Sequence, residues 1–151
     1  MIKNKFKIIL NCFLPVFLGG IIYISFRSEN LIMFTWFKKI GINNLVHNIR
    51  IILRNQFYDL PDWFIYSLPD ALWTYSFIYS ILFIWKGNNS LFKHLWIILV
   101  LILTIGSELG QLINFVPGTF DKADLLLSSL AFILPFMIIE RGGLYDIFQK
   151  N

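Results

Sequence analysis

Glu108 and Gln111 stand three residues apart, with Ser107 and Asn114 beside them, in a stretch that is otherwise apolar from Leu95 to about Phe115. On a helix that spacing puts the carboxylate and the amide on one face. A carboxylate inside a membrane span costs about 2.5–3.5 kcal/mol on insertion scales, so Glu108 calls for a partner. Candidates are Asp70, which follows Pro69 in an earlier apolar run, and Asp124, which opens the last one. If the runs cross a membrane alternately, the second descends from Asp70, the third rises to Glu108 and Gln111, and the fourth starts at Asp124. All four groups then fall toward one leaflet.

Three kinds of chemistry suit such a group. A hydrogen-bonded Glu108 can join neighbouring helices together with Gln111, Asn114, Ser128 and Ser129, making the chain a structural membrane subunit. A polar pocket can bind a headgroup, a lipid-linked sugar or another ligand, with Asp70, Glu108, Gln111 and Asp124 as its walls; carboxylates suit cationic groups, hydroxyls or a divalent cation such as Mg²⁺ or Ca²⁺. One carboxylate can move protons, as in a membrane enzyme or a proton-coupled carrier using Glu108. The chain offers no Ser-His-Asp set, no His-rich metal motif and no cysteine beside a histidine. No catalytic residue is therefore assigned, and no cofactor is called for beyond that divalent cation.

The elements that must position these groups are membrane spans. Of 151 residues, 57% are hydrophobic and 15% charged, against about 25% charged in soluble domains. The pattern predicts an all-α integral membrane protein forming one domain, with four transmembrane helices at about 6–26, 63–85, 95–115 and 124–139. Lys3, Lys5 and Lys7 precede the first run, which ends at Arg27 without a small-x-small cleavage site, so it reads as an uncleaved span. Cys12 is alone, which excludes an intrachain disulfide, and takes the role of a small buried residue; His47 and His94 are too far apart in sequence to supply a zinc site readily.

Between the first and second spans, residues 28–60 carry apolar positions at helical spacing, Leu31, Phe34, Trp36, Phe37 and Ile40, then Leu45, Val46, Ile49, Ile52 and Leu53. Lys38, Lys39, Arg50 and Arg54 lie between them. This fits an amphipathic interfacial segment broken at Gly41, or equally a helical hairpin packed on the bundle. The expected partner is membrane lipid; nucleic acid is not, because the basic face is short and tethered. Asp62 is placed as an N-cap, Pro69 as a kink or break that lets Asp70 cap a restarted helix, and Pro135 as a bend. Glu140-Arg141-Gly142-Gly143 is expected to close the last helix. Basic residues are nearly balanced between the two sides, so the acidic third connection decides the orientation, with both termini cytoplasmic.

Glu108-x-x-Gln111, a turn, Asp121, and Asp124 thirteen residues after the glutamine at the head of the last span resemble the VanZ-like family of small membrane proteins, whose founding member is a teicoplanin resistance protein. The likeness covers about residues 95–139; the first half agrees in span layout. That family usually places an arginine in the turn where this chain has Gly118 or a neighbour, and often an asparagine and a glycine where this chain has Ser128 and Ala131. Lys122 lacks the planar fork of an arginine. The resemblance implies a bacterial inner-membrane location and a link to the cell envelope and glycopeptide resistance; with the polar groups converging at the outer leaflet, the expected pocket ligand is an envelope lipid or a cell-wall precursor. The resemblance supplies no reaction.

Overall fold

The computed structural model describes residues 8–148, with side chains through Ile139. Lys3, Lys5, Lys7 and Lys150, and the side chain of Arg141, on which the orientation argument partly rested, lie outside the described residues. Every regular element among the described residues is helical. Helix α1 covers Ile9–Phe26 and begins with a π-helical turn over Ile9–Phe13. The short helices α2 (Ile32–Lys39) and α3 (Asn43–Gln56) follow. Then come α4 (Asp62–Ile84), α5 (Leu91–Leu112, with a π-helical turn over Ile102–Gly106) and α6 (Lys122–Phe148).

Three of these, Ile9–Phe26, Leu91–Leu112 and Lys122–Ile139, contain segments long and apolar enough to cross a membrane. Helix α4, expected as the second span, has the length but not the apolarity. The reason lies in its place: α4 is the centre of the bundle, packed mainly against α6 and α1. It buries Ser67, Thr74, Ser76 and Tyr79 along with Ile78, Ile81 and Leu82. Ile78, Ile81 and Leu82 with Val100 form the apolar core, flanked by Trp85, Ile97, Phe132, Phe136 and Ile139.

Several ends follow from local chemistry. Ser90 accepts the Phe92 N–H at 3.3 Å and starts α5, and Asp121 Oδ1 accepts the Ala123 N–H at 2.8 Å and starts α6. Each satisfies one of the amides a helix start leaves free. Gly41, at φ 79°, breaks α2 from α3 where the sequence placed the break.

Other expectations are corrected. Pro69 sits inside an unbroken α4 and Asp70 is an interior residue, not the cap of a new helix. Burial of Pro69 in the bundle lets packing offset the lost hydrogen bond. Asp62 is the first helical residue, after Pro61 at the cap position. The third helix stops at Leu112 rather than near Phe115: Asn114 adopts φ 58°, while Phe115 N–H reaches the Gly110 carbonyl at 2.8 Å and Asn114 N–H the Gln111 carbonyl at 3.1 Å. That is a Schellman closure with asparagine in the left-handed position. Helix α6 runs through Pro135 and on past Gly142 and Gly143 to Phe148 instead of closing at residues 140–143. Cys12 is half-buried.

Candidate functional site

The C-terminal ends of α1 and α5 and the N-terminal ends of α4 and α6 meet at one end of the bundle. There a cavity of about 310 Å³ opens, lined by Asp70, Trp73, Thr74 and Phe77 of α4, by Val100, Leu103, Thr104, Ser107 and Glu108 of α5, and by Asp124 and Ser128 of α6. Its walls are mostly apolar, and Val100 joins its floor to the core. The three carboxylates expected to converge therefore line one space.

Their settings differ. Asp70 Oδ2 lies 3.7 Å from Arg27 Nη2, and both side chains are partly exposed. Glu108 Oε2 accepts the backbone N–H of Asp121 at a long 3.5 Å, which ties α5 to the start of α6. Asp124 sits in the first turn of α6, where exposed amides favour a negative charge, and its Oδ1 is enclosed with no hydrogen-bond partner. Ser128 is 6% exposed and lines the cavity. Thr104 and Ser107 turn their hydroxyls onto the Val100 carbonyl at 2.8 Å and the Leu103 and Thr104 carbonyls at 2.8 and 2.7 Å. They do so around the π-helical turn of α5, a distortion that recurs at functional sites.

Gln111 does not line the cavity. Its side chain lies against Gly118 of the connection to α6; a Cβ at Gly118 would stand 2.8 Å from Gln111 Cδ. Asn114 is the exposed closing residue of α5, and Ser129 bonds the Leu125 carbonyl of its own helix at 2.7 Å. These three residues therefore do not share the Glu108 face across helices. Gly118, at φ 142°, has a backbone conformation that a side-chain-bearing residue rarely adopts, and a side chain there would also displace Gln111.

A guanidinium reaches Asp70 from the end of α1. Arg27, at the end of α1, donates to the Tyr66 carbonyl at 3.0 Å and lies over the Tyr23 and Tyr66 rings at 5.1 and 4.8 Å while pairing with Asp70. Sequence reasoning missed it because the partners are 43 residues apart and Arg27 reads as an ordinary topogenic charge after a span.

Two further arginines hold this end together. Arg50 donates to the Ile24 carbonyl and, at 2.9 Å, to the Arg27 carbonyl; Arg54 reaches the Ser25 carbonyl at 2.9 Å and the Phe26 carbonyl at 3.3 Å. The last carbonyls of α1, which have no partners in their own helix, thus bond to α3. Among the described residues no group of three or more His, Cys, Asp or Glu side chains is placed to hold a metal ion. No family model, curated protein or solved structure matches this chain.

Proposed function

We propose that the chain is a VanZ-like protein of the bacterial inner membrane in which α1, α4, α5 and α6 all span the bilayer. The cavity then opens at the outer leaflet, where it receives the polar end of an envelope lipid or a lipid-linked cell-wall precursor. The supporting observation is the convergence of Asp70, Glu108 and Asp124, with Ser128, on one cavity whose remaining walls are apolar. Three carboxylates against one guanidinium suit an amino group or a cluster of hydroxyls, and the apolar walls suit what such a headgroup is attached to.

The 23 residues of α4 extend about 35 Å at 1.5 Å each, enough for a hydrocarbon core of about 30 Å. Its polar side chains are largely shielded inside the bundle, so its modest hydropathy does not count against crossing. On α2 and α3, Ile32, Trp36, Ile40, Leu45 and Ile52 are exposed beside the exposed Lys38 and Lys39, which fits a pair of helices lying in the headgroup layer. A contribution to teicoplanin resistance belongs to the same reading.

The test is native mass spectrometry of protein extracted from its own membrane. The wild type should carry a lipid or lipid-linked species that Glu108→Gln and Asp124→Asn, at equal expression, lose. Equal occupancy in all three would sink the pocket. If Glu108→Gln is silent while Glu108→Leu alters assembly, the polar groups only join helices.

A further inference from the structure

We infer that a second pocket, between α2 and α3, is a binding site for a phosphate group. On either side of the break at Gly41, α2 and α3 together with Glu29 line a space of about 140 Å³, against the ~30 Å³ of one water in the liquid. Phe34 and Lys38 line it from α2; Asn43, His47 and Arg50 line it from α3. Those positions recur at intervals of three and four, so each helix turns one face to the space.

The charge there is unbalanced. Arg50 is 3% exposed, and a buried guanidinium requires a counter-charge. Its one carboxylate is Glu29, whose Oε1 lies 3.3 Å from Nε while the rest of that side chain is largely exposed. The contact is an ion pair, and Nε is enclosed with no well-aligned hydrogen bond among the described residues. Among the described residues no carboxylate pairs with Lys38. Burial pushes the Arg50 guanidinium below its usual pKa, the Arg54 charge adds to this, and Glu29 opposes it.

Arg50 is also set in place before any ligand arrives. The Ile24 and Arg27 carbonyls hold Arg50, and its guanidinium lies over the Phe34 ring at 4.8 Å. A planar fork, an ammonium, an imidazole and an amide around one small space are what a tetrahedral oxyanion takes. Glu29, the largely exposed acidic member of the set, occupies part of the place the oxyanion would fill. The site is separate from the carboxylate cavity and shares no residue with it.

Such a phosphate can belong to a phospholipid headgroup or be free in solution, and two probes separate the sources. The purified full-length protein in phosphate-free detergent is titrated calorimetrically with inorganic phosphate and, separately, with dihexanoyl phosphatidylglycerol. At least one should bind. The double variant Lys38→Ala/His47→Ala, which leaves Arg50 and its helix contacts intact, should weaken binding by about tenfold or more, as expected for losing charge-assisted hydrogen bonds. Glu29→Gln should tighten it by removing the competing carboxylate. A lipid site answers only to phosphatidylglycerol; a free-phosphate site answers to both. Binding of neither probe, or binding unchanged in both variants while their melting matches the wild type, overturns the inference.

Discussion

Arg27 shows how one side chain makes contacts of unequal worth. Its pair with Asp70 is partly exposed and 3.7 Å long, which in water is worth at most about 1 kcal/mol. The hydrogen bond to Tyr66 and the two aromatic faces are a different matter. Arg27→Ala should lower stability in detergent by about 2 kcal/mol, read as a fall in melting temperature. Asp70→Asn should change it by less than about 1 kcal/mol and act instead on cavity occupancy. Equal melting losses in both would mean that the ion pair, not the rings and carbonyl, holds Arg27. At this scale the sequence was half legible. Asp70, Glu108 and Asp124 could be brought together because alternation and helical spacing determine which end of the bundle each reaches. Gln111 could not be separated from them, because the Schellman turn at Asn114 and the close approach of Gly118 draw it away, and neither leaves a periodic signal.

Helices meet here through missing side chains as much as present ones. A Cβ on Gly19 would stand 2.7 Å from Trp73 Nε1 and 3.2 Å from the Pro69 carbonyl, and the indole donates to the Val16 carbonyl at 3.2 Å. Gly19→Ala should therefore push α1 from α4, cost about 1–3 kcal/mol of stability as an overpacked contact, and disturb the cavity wall that Trp73 forms. Gly20→Ala, where a Cβ meets nothing within 4 Å, is the control and should be near neutral; matching melting curves for the two variants would refute the close approach. At the other contact of α1, Arg54→Ala frees the Ser25 and Phe26 carbonyls. It should loosen α3, seen as faster proteolysis between Gln56 and Asp62. The apolar runs put the last two helix starts at about residues 95 and 124, whereas the caps at Ser90 and Asp121 carry the helices a few residues further toward the N-terminus. The arginine contacts were not readable, since Arg50 and Arg54 look from sequence like the solvated face of an amphipathic helix.

At the scale of the molecule, the proposed four-span arrangement places the segment before α4 and the turn after it on opposite sides of the membrane. In a Cys12→Ser background, Tyr58→Cys, just before α4, should react with a membrane-impermeant maleimide on intact cells, and Asn88→Cys, just after it, only after permeabilisation. Labelling of both from one side would leave α4 outside the bilayer. Span number was hard to read for a physical reason: hydropathy measures what a helix would show to lipid, whereas α4 shows most of its surface to other helices.

The same burial bears on how the protein is made. A helix that carries Ser67, Asp70, Thr74, Ser76 and Tyr79 is a poor candidate to leave the translocon alone. Residues on α1 are ready to receive it: Asn11 Oδ1 accepts the Tyr75 hydroxyl at 2.6 Å, and the Cys12 carbonyl accepts the Ser76 hydroxyl. In the proposed four-span arrangement, α1 is the partner on which the polar groups of α4 depend for insertion. A protein begun after Arg27 should then fail to integrate α4 even though every residue of α4 is present.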